Sequence, residues 1–513
     1  MSINNKLTTL QLMLISTGGM IGAGWLFSPY YGFEAAGVGV LLSWLIIAIL
    51  TLIIGITFAE VVTIAPIVGG LSRFIGITHN RAVSFIFLTL GWLSYIVYLP
   101  LEAQSAIQYL SFWHKDLVVQ NIGGTTLSKS GLYLAFLIIA LLTWFNSFLL
   151  KNVARANSLV SIWKILVPIG IAWFLIILFG NWENVQLAKV AHKFSLESVL
   201  LAITGSGMVF AFAGFQNGLI LANSAKDPHK ALPASLFAPI IIGFILYSSL
   251  SLIYITCLGD KRLELGSAAP LLGIVSLFGI HIIINALFID AVIAPLGTAN
   301  VYTAATSRIL YAFAKDFFPK TLLNKVNKFS SPVYCLWLNA LLGACFLMPF
   351  PTWQQLVDFL SSTVIFSYLS GPLVLIILRQ DFPDLARPFK VLNYKLVGYV
   401  GFICCTLLIY WSNIYNLIYL AALSAIIIVV YNIFVEKKPA NFFTTFKNNF
   451  FIIGYLLLLV AIKYSHQIKL ISFPFDNLLI IIFSCIACKI FIAKKISKNE
   501  ISDNLKRVAA ENL

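Results

Sequence analysis

The feature that most constrains this chain is a pair of glycine-rich interruptions inside apolar segments long enough to cross a bilayer. The first covers residues 17–25 (TGGMIGAGW) and the second covers residues 204–215 (TGSGMVFAFAGF). In hydrocarbon, a helix can lose its backbone hydrogen bonds only where it lines a cavity or is buried in protein. Two such interruptions, each opening one half of the chain, predict a transporter built from inverted repeats with its substrate site near the bilayer midplane.

The composition requires a polytopic membrane protein. The mean hydropathy is +0.93 and only 10% of residues are charged, against about 25% in soluble proteins. A membrane-spanning helix needs about 20 apolar residues. We predict fourteen such segments, called spans 1 to 14 in chain order: 7–28, 38–63, 82–113, 131–149, 158–178, 200–222, 236–258, 282–313, 333–348, 356–378, 396–411, 414–435, 450–462 and 478–492.

The net charge of +15 is explained by the distribution of basic residues between the connections. If the N-terminus starts inside, 25 of the 34 Lys and Arg residues fall on one side with both termini, and eight fall on the other. The positive-inside rule then predicts a multi-pass protein of the cell (inner) membrane with both termini in the cytoplasm. The bilayer is therefore the expected partner of this charge, and no nucleic acid is expected.

The positions of the interruptions predict the domain organisation. Spans 1 to 5 and 6 to 10 would form two repeats of opposite orientation, because an odd number of spans inverts the second repeat. We therefore predict an all-α polytopic membrane protein with a five-plus-five inverted-repeat transporter fold, discontinuous helices in spans 1 and 6, and about four extra C-terminal helices. Residues 1–395 would form the transport core, 396–493 the accessory transmembrane helices and 494–513 a cytoplasmic tail.

An interrupted helix offers complementary groups to a zwitterion. The positive end of the half-helix that begins after a break favours a carboxylate, and carbonyl groups freed at the break favour an ammonium. Close packing of helices through small residues is the structural alternative. The candidate backbone ligands are Gly22, Ala23 and Gly24 in span 1 and Phe210, Ala211 and Ala213 in span 6.

Side chains beside the interruptions extend this candidate site. Trp25 and Phe210 bracket the breaks and could form a gate or a pocket, although generic packing explains aromatic residues equally well in a chain that is 14% aromatic. Gln216 and Asn217 could bind a polar neutral or carboxylate group.

Three ionisable residues lie within predicted spans. Lys164 is about seven residues past the polar start of span 5, or roughly 10 Å along the axis, where a charged amine costs at least about 2.5 kcal/mol on insertion scales. A desolvated lysine can exchange protons near neutral pH, whereas the alternative is that it reaches back to the interface. Glu102 in span 3 and Asp290 in span 8 are candidate proton sites, cation-binding groups or structural partners. Glu60 lies near a helix end, where solvation favours a structural role.

Several motifs resemble the amino acid permeases of the amino acid, polyamine and organocation (APC) superfamily, in its bacterial members. They follow one another in the expected order across spans 1 to 10: residues 19–27 (GMIGAGWLF), 59–60 (AE), 69–70 (GG), 210–215 (FAFAGF), 225–233 (AKDPHKALP), 306–316 (TSRILYAFAKD) and 387–390 (RPFK). The resemblance implies the same inverted five-plus-five fold and alternating access. It also implies that amides of span 1 hold a substrate carboxylate and that carbonyls of spans 1 and 6 hold its amine.

The resemblance also bears on ion coupling. Residues 163–168 (WKILVP) resemble the pattern of proton-coupled members in which a lysine takes the place of a sodium ion against span 1, which assigns proton coupling to Lys164. The chain departs from the family pattern at two positions. Ala23 stands where many relatives have Ser, and Ser224 stands where they often have Glu, so an inner-gate ion pair at the second position is not expected.

These observations favour a secondary amino acid transporter driven by protons. An exchanger of amino acids or amines and a non-transporting nutrient sensor remain alternatives. No Walker A sequence supports ATP-driven transport, and no nucleophile and base or paired acids are spaced for an intramembrane enzyme. Cys485 and Cys488 form a CxxC without another Cys or His partner in their span, so packing is favoured and no metal or cofactor is expected. The sequence leaves open the substrate, symport or antiport, proton or sodium coupling, and oligomeric state.

Overall fold

The computed structural model describes residues 7–64, 69–121, 124–148, 153–191, 194–220, 226–258, 268–437 and 442–511. Within these ranges eleven helices are long and apolar enough to cross a membrane, or twelve if the bent pair in span 6 is counted as one crossing. Each of the fourteen predicted spans contains helix. The prediction of an all-α polytopic membrane protein is therefore confirmed.

The described helices from the start of span 1 to the end of span 5 come first in the chain. They are α1 (Thr9–Met20), α2 (Gly24–Ala36), α3 (Val40–Ile64), α4 (Ile75–Thr78), α5 (Arg81–Leu110), α6 (Lys129–Asn146) and α7 (Val153–Phe179). The helices of spans 6 to 10 follow. They are α8 (Asn184–Ala191), α9 (Leu196–Gly205), α10 (Met208–Phe212), α11 (Gln216–Ile220), α12 (Pro228–Thr256), α13 (Pro270–Ser276), α14 (His281–Phe317), α15 (Val333–Phe346), α16 (Trp353–Tyr368) and α17 (Ser370–Asp381).

The remaining helices form spans 11 to 14 and the tail. They are α18 (Tyr394–Trp411), α19 (Ile414–Val430), α20 (Phe442–Gln467), α21 (Phe475–Ala493) and α22 (Lys498–Glu511). Short 3₁₀ turns occupy Gly37–Gly39, Leu71–Phe74, Lys115–Leu117 and Leu322–Asn324, and a π-helical turn, Tyr431–Glu436, extends α19. An antiparallel hairpin between spans 3 and 4 pairs β1 (Val118–Asn121) with β2 (Gly124–Leu127).

Spans 1 and 6 are both discontinuous, as predicted. In span 1, α1 ends at Met20 and α2 begins at Gly24. In span 6, α9 and the following helical segments meet at an angle of 62°. These interruptions coincide with the glycine-rich stretches because glycine carries no Cβ and tolerates backbone conformations that other residues avoid.

Spans 13 and 14 are longer than the sequence analysis predicted. α20 covers Phe442–Gln467 where residues 450–462 were predicted, and α21 covers Phe475–Ala493 where 478–492 were predicted. The polar first turns of α20 concealed its start from a hydropathy criterion. The charged tail also contains a helix, α22, that the sequence analysis did not predict.

Two central spans are the most buried, and the outer helices present apolar side chains outward. α5 and the α16–α17 pair have the most buried transmembrane segments in the described part of the chain, and α5 packs against α14 and α16. By contrast, exposed aliphatic side chains lie on several peripheral helices, including Leu137, Leu166, Ile241 and Ile482. That arrangement suits a protein surrounded by hydrocarbon, where apolar surface needs no burial.

Glu60 joins two motifs that lie far apart in the sequence. Its side chain is fully buried, and Oε1 lies 2.7 Å from Arg379 Nε and 3.0 Å from Arg387 Nε. Oε2 accepts a hydrogen bond of 2.8 Å from the amide of Val391. The expectation of a solvated position for Glu60 was therefore wrong, although a structural role fits: the carboxylate fastens the connection after span 10 to span 2.

Both described chain ends lie on the same face of the bundle. Ile496 donates a backbone hydrogen bond of 2.9 Å to Thr78, and two spans separate Thr78 from Leu7, so these positions share a face. We call this the terminal face and the other the opposite face. The tail helix α22 packs on α4 at the terminal face, and Ile501, which faces inward, is fully buried.

Candidate functional site

The break in span 1 exposes a backbone amide that a carboxylate already occupies. Ile21 has φ −83° and ψ 83°, a non-helical conformation that turns the chain out of α1. The amide of Ala23 then donates a hydrogen bond of 2.8 Å to Glu102 Oε2. A carboxylate is the partner expected at the beginning of a helix, because the free N–H groups and the helix dipole both favour negative charge.

The predicted backbone ligands of span 1 are packed closely against their neighbours. An added Cβ at Gly22 would clash with Glu102 Oε1, and one at Gly24 would lie 2.9 Å from the Cα of Ala211 in span 6. The glycines on either side of Ala23 therefore serve close approach as well as backbone exposure. The same glycines therefore fit both interpretations of the break, close packing between helices and binding of a ligand by the backbone.

Span 6 is interrupted twice. Gly207, with φ +78°, separates α9 from α10, and Gly214, with φ +116°, lies between α10 and α11. Phe210 and Ala211 fall within the short helix α10. Their carbonyl groups already accept hydrogen bonds, from the amide of Ala213 at 3.0 Å and from the Tyr247 hydroxyl at 2.7 Å respectively.

A side chain from span 1 satisfies backbone groups that the second interruption leaves open. Ser16 Oγ donates to the carbonyl of Phe215 at 3.1 Å and accepts from the amide of Gly218 at 2.6 Å. An added Cβ at Gly214 would lie 2.8 Å from the backbone of Met20. The two broken spans thus touch each other through their backbones, as a shared site requires.

Lys164 projects from span 5 to the end of α1. Its side chain is 1% exposed, so the alternative in which it reaches the interface does not apply. Nζ donates to Thr298 Oγ1 at 2.8 Å and lies 3.4 Å from the carbonyl oxygen of Gly18. Thr298 Oγ1 in turn lies 3.1 Å from the carbonyl oxygen of Ile21. Lys164 Nζ therefore lies beside carbonyl groups that the break in span 1 leaves without their helical hydrogen-bond partners.

Glu102 and Asp290 are fully buried acids that interact electrostatically with this lysine. Glu102 touches the break directly, as described above. Asp290 lies eight residues before Thr298 on α14, which corresponds to about 12 Å along the helix axis. The structure therefore brings Lys164 and Glu102 together at span 1 and places Asp290 farther along span 8.

Gln216 links the interruption of span 6 to two other spans. Its Oε1 accepts from the amide of Gly214 at 2.9 Å and from the Tyr368 hydroxyl at 3.3 Å, and its Nε2 donates to the Tyr95 hydroxyl at 3.0 Å. Both polar atoms of this side chain are therefore engaged within the protein. In this conformation Gln216 holds the unwound backbone in place.

Aromatic side chains close the site toward the opposite face. The Trp353 ring lies 4.7 Å from that of Phe27 and 6.0 Å from that of Phe210, measured between centroids. Phe210 also approaches Gly24, its ring lying 3.5 Å from an added Cβ there. Trp25 is fully buried. Phe210 therefore lies against the break in span 1, and its role as a gate or as part of a pocket stays a prediction.

The contacts between α1 and α11 close the site toward the terminal face. Ser16 bridges the two helices, as described above, and a bidentate ion pair of 2.8 Å joins Arg73, between spans 2 and 3, to Asp316 in the last turn of α14. Ala23, Trp25 and Glu102 are fully buried among the described residues, and we call this arrangement closed.

Sequence reasoning missed the residues that support the broken spans. Thr298, Tyr247, Ser16 and Tyr95 each direct a hydroxyl to a backbone group or side chain of span 1 or span 6. Hydroxyl side chains are common in transmembrane helices, so a single sequence offers no signal that separates these from the others. Only the folded arrangement shows that Thr298, Tyr247 and Ser16 donate to backbone carbonyls beside the breaks and that Tyr95 supports the Gln216 side chain.

Comparisons with known proteins identify the family of this chain. A family model described as amino acid permease matches residues 7–458. The glutamate/serine transporter AimA of Bacillus subtilis (strain 168) is 27% identical over 505 residues, covering 94% of this chain and 93% of that protein. The aspartate-proton symporter of the same organism is 27% identical over 498 residues, covering 94% and 95%. The aromatic amino acid transport protein AroP of Escherichia coli (strain K12) is 23% identical over 360 residues, covering 67% and 73%.

Proposed function

Because the chain belongs to the amino acid permease family, we propose that it is a secondary active transporter that imports an amino acid across the cytoplasmic membrane by alternating access, coupled to protons. The multi-pass architecture and the amino acid transporters among its relatives support the first part. The excess of basic residues on the terminal face supports an orientation with that face in the cytoplasm.

The observation that carries the proposal is the hydrogen bond between Glu102 and the amide of Ala23. An amino acid substrate would place its own carboxylate at this amide. In the closed structure, Glu102 therefore holds the place of the substrate carboxylate. Binding of substrate then requires Glu102 to give up this amide.

Competition for one amide gives a physical route to proton coupling. Two carboxylates beside each other in a buried site cannot both remain ionised, so one takes up a proton. An arriving substrate carboxylate would leave Glu102 as the group that is protonated. A proton bound at Glu102 would in turn strengthen substrate binding, because linkage between two ligands is reciprocal.

Lys164 has a complementary role in this scheme. Its ammonium group lies against the carbonyl of Gly18 and interacts with Glu102. Loss of negative charge from Glu102 changes the field at Lys164 directly. The lysine would thereby transmit the protonation state of Glu102 to the end of α1, the half-helix that contacts α11 at the terminal face.

Uptake by purified protein in proteoliposomes tests the proposal. Glutamate, aspartate and serine are the first substrates to examine, because two relatives that align over 94% of the chain are named for them. An inwardly directed proton gradient should drive accumulation by the wild type and not by Lys164→Ala. Gradient-driven, pH-dependent uptake that persists in this variant would contradict the assignment.

Counterflow distinguishes the two remaining classes. An exchanger would show exchange of labelled amino acid without accumulation under a proton gradient, and a sensor would show neither. The Lys506→Gln variant is a suitable control, because Lys506 is an exposed side chain that pairs with Asp503 within the tail helix α22, away from both broken spans.

A further inference from the structure

A cluster of charged side chains outside the candidate site joins α9 to the accessory helices at the opposite face. Glu197 lies in the first turn of α9, His466 near the end of α20 and Asp476 in the first turn of α21. His466 Nε2 lies 2.9 Å from Glu197 Oε1, and Nδ1 lies 3.4 Å from Asp476 Oδ2. His466 Nε2 is therefore hydrogen-bonded to Glu197, whereas Nδ1 lies at ion-pair distance from Asp476.

The accessory side of this cluster is rigidly built. Asp476 is 3% exposed. Its Oδ2 accepts a hydrogen bond of 2.7 Å from the Tyr410 hydroxyl, and its Oδ1 accepts one of 3.0 Å from Asn477 Nδ2. Asn477 Oδ1 accepts from Trp411 Nε1 at 2.7 Å. These contacts fix α18 and α21 to each other, and they fix the position of the Asp476 carboxylate next to His466.

A second contact holds the other end of α9. Thr204, in its last turn, donates from Oγ1 to the carbonyl of Trp411 at 2.8 Å. α9 is thus tied to the accessory helices at its first turn through Glu197 and at its last turn through Thr204. Directly beyond it, Gly207 begins the first interruption of span 6, where an added Cβ would lie 3.0 Å from the Trp353 ring and 3.1 Å from Ser28 Oγ.

The charges around His466 are unequal when the ring is neutral. The titratable groups that face it are Glu197 from α9, Asp476 from α21, Tyr410 from α18 and Lys463 from its own helix, α20. Two carboxylates then face one ammonium, and a protonated ring would balance them. Histidine side chains change charge between about pH 5 and 8. The link between α9 and α21 is therefore strong with a charged ring and weak with a neutral one.

We propose that His466 is a positioning residue for transport: with Glu197 and Asp476 it anchors the outer half of span 6 to the accessory helices, and its charge sets how firmly. This gives spans 11, 13 and 14 a role as the support for the outer gate, by which we mean the aromatic side chains of Phe27, Phe210 and Trp353. The proposal rests on the proposed function for its transport readout. In the proposed orientation, the cluster lies at the outer face of the membrane.

The pH profile of uptake separates this role from simple structural support. His466→Gln removes the charge at every pH, whereas His466→Lys keeps it throughout the range in which histidine titrates. The matched control is His114→Gln, because His114 is an exposed histidine in the connection after span 3, at the same face. The measurement is kcat and KM for uptake as the external pH is varied from about 5.5 to about 8.5, which covers the pH values at which histidine side chains change charge.

We expect His466→Lys to retain at alkaline pH the kcat that the wild type loses there. His466→Gln should have, at every pH, the kcat that the wild type has at alkaline pH. His114→Gln should match the wild type. A His466→Gln profile that follows the wild type would overturn the proposal. So would a His466→Lys profile indistinguishable from that of His466→Gln.

A second readout does not depend on transport. Ser28→Cys in a Cys345→Ser background places a thiol under the outer gate, and its labelling by a membrane-impermeant maleimide reports opening toward the opposite face. Labelling should be several-fold faster with His466→Gln and unchanged with His466→Lys. Equal labelling rates in all three proteins would overturn the anchor even if no amino acid were transported, and absence of uptake with the expected labelling would overturn only the proposed function.

Discussion

Replacing Lys164 by methionine tests the electrostatic core of the site. Methionine keeps most of the side-chain volume and removes the ammonium group. The variant loses the hydrogen bond to Thr298 and the contact with Gly18. It also leaves Glu102 and Asp290, both fully buried, without the cation that interacts with them.

The expected loss of stability follows from these two changes. Removing one partner of a buried ionic arrangement costs about 3–5 kcal/mol, because the remaining charge is buried and unpaired. In acid the carboxylates bind protons and become neutral, so only the loss of hydrogen bonds to a charged group remains, about 1.5–3 kcal/mol. The destabilisation of Lys164→Met relative to the wild type should therefore be larger at neutral pH than in acid.

The assay is thermal unfolding of purified protein at each pH, with a double-mutant cycle. Adding Glu102→Gln to Lys164→Met removes the unpaired charge nearest the lysine, so the double variant should be more stable at neutral pH than Lys164→Met alone. A loss that does not change with pH, or effects of the two substitutions that simply add, would refute the electrostatic account.

Four further outcomes are expected. Gly214→Ala should prevent folding, because a Cβ there meets the backbone of α1 at 2.8 Å, whereas Gly205→Ala, with open space around it, should leave the yield of monodisperse protein unchanged; equal yields would contradict this. Glu60→Gln should lower stability by about 3–5 kcal/mol, because two arginines lose their buried partner, and a wild-type melting curve would contradict it. Ile501→Asp should release α22 and expose the tail to trypsin, since this side chain is fully buried; unchanged digestion would argue against docking. His79 follows α4, and its Nε2 lies 3.0 Å from the carbonyl oxygen of Phe491 near the end of α21. Burial lowers the pKa of His79 to about 4, below the roughly 6.5 of a free histidine, so the attachment of α21 and the tail at α4 should be complete above about pH 6.5 and weaken toward pH 4, and trypsin sensitivity independent of pH would contradict that.

The discontinuous spans could be predicted because glycine in an apolar segment is a local signal with a physical cause. The residues of 17–25 and 204–215 carry that signal without any knowledge of their neighbours. Lys164 and Glu102 stood out for the same reason, since charge inside a span is costly and rare. Their meeting at span 1 depends on how three helices pack, and the sequence pattern does not contain it.

Prediction from sequence was weaker where polar residues are buried by distant partners. Glu60 lies near the end of its span, which suggested solvation, but Arg379 and Arg387 bury it. The carbonyl groups of Phe210 and Ala211 were predicted to be free, yet Ala213 and Tyr247 satisfy them in the closed conformation. In both cases the decisive partner is fixed by tertiary packing.

The helix in the tail was missed for a related reason. α22 is polar over most of its length, so its apolar positions did not stand out by composition. Its apolar residues Ile501, Leu505 and Val508 are nevertheless spaced for one face of a helix, a local signal that a criterion based on composition overlooks, whereas the surface at α4 that receives them is set by tertiary packing.

Proton uptake upon substrate binding tests the central claim most directly. Purified protein in weakly buffered detergent solution is titrated with the transported amino acid, and the pH change is measured near neutrality. If the substrate carboxylate displaces Glu102 from the amide of Ala23, the wild type takes up about one proton for each substrate bound, and Glu102→Gln binds substrate without proton uptake. Substrate binding without proton uptake by the wild type, or with the same uptake by Glu102→Gln, would contradict the account.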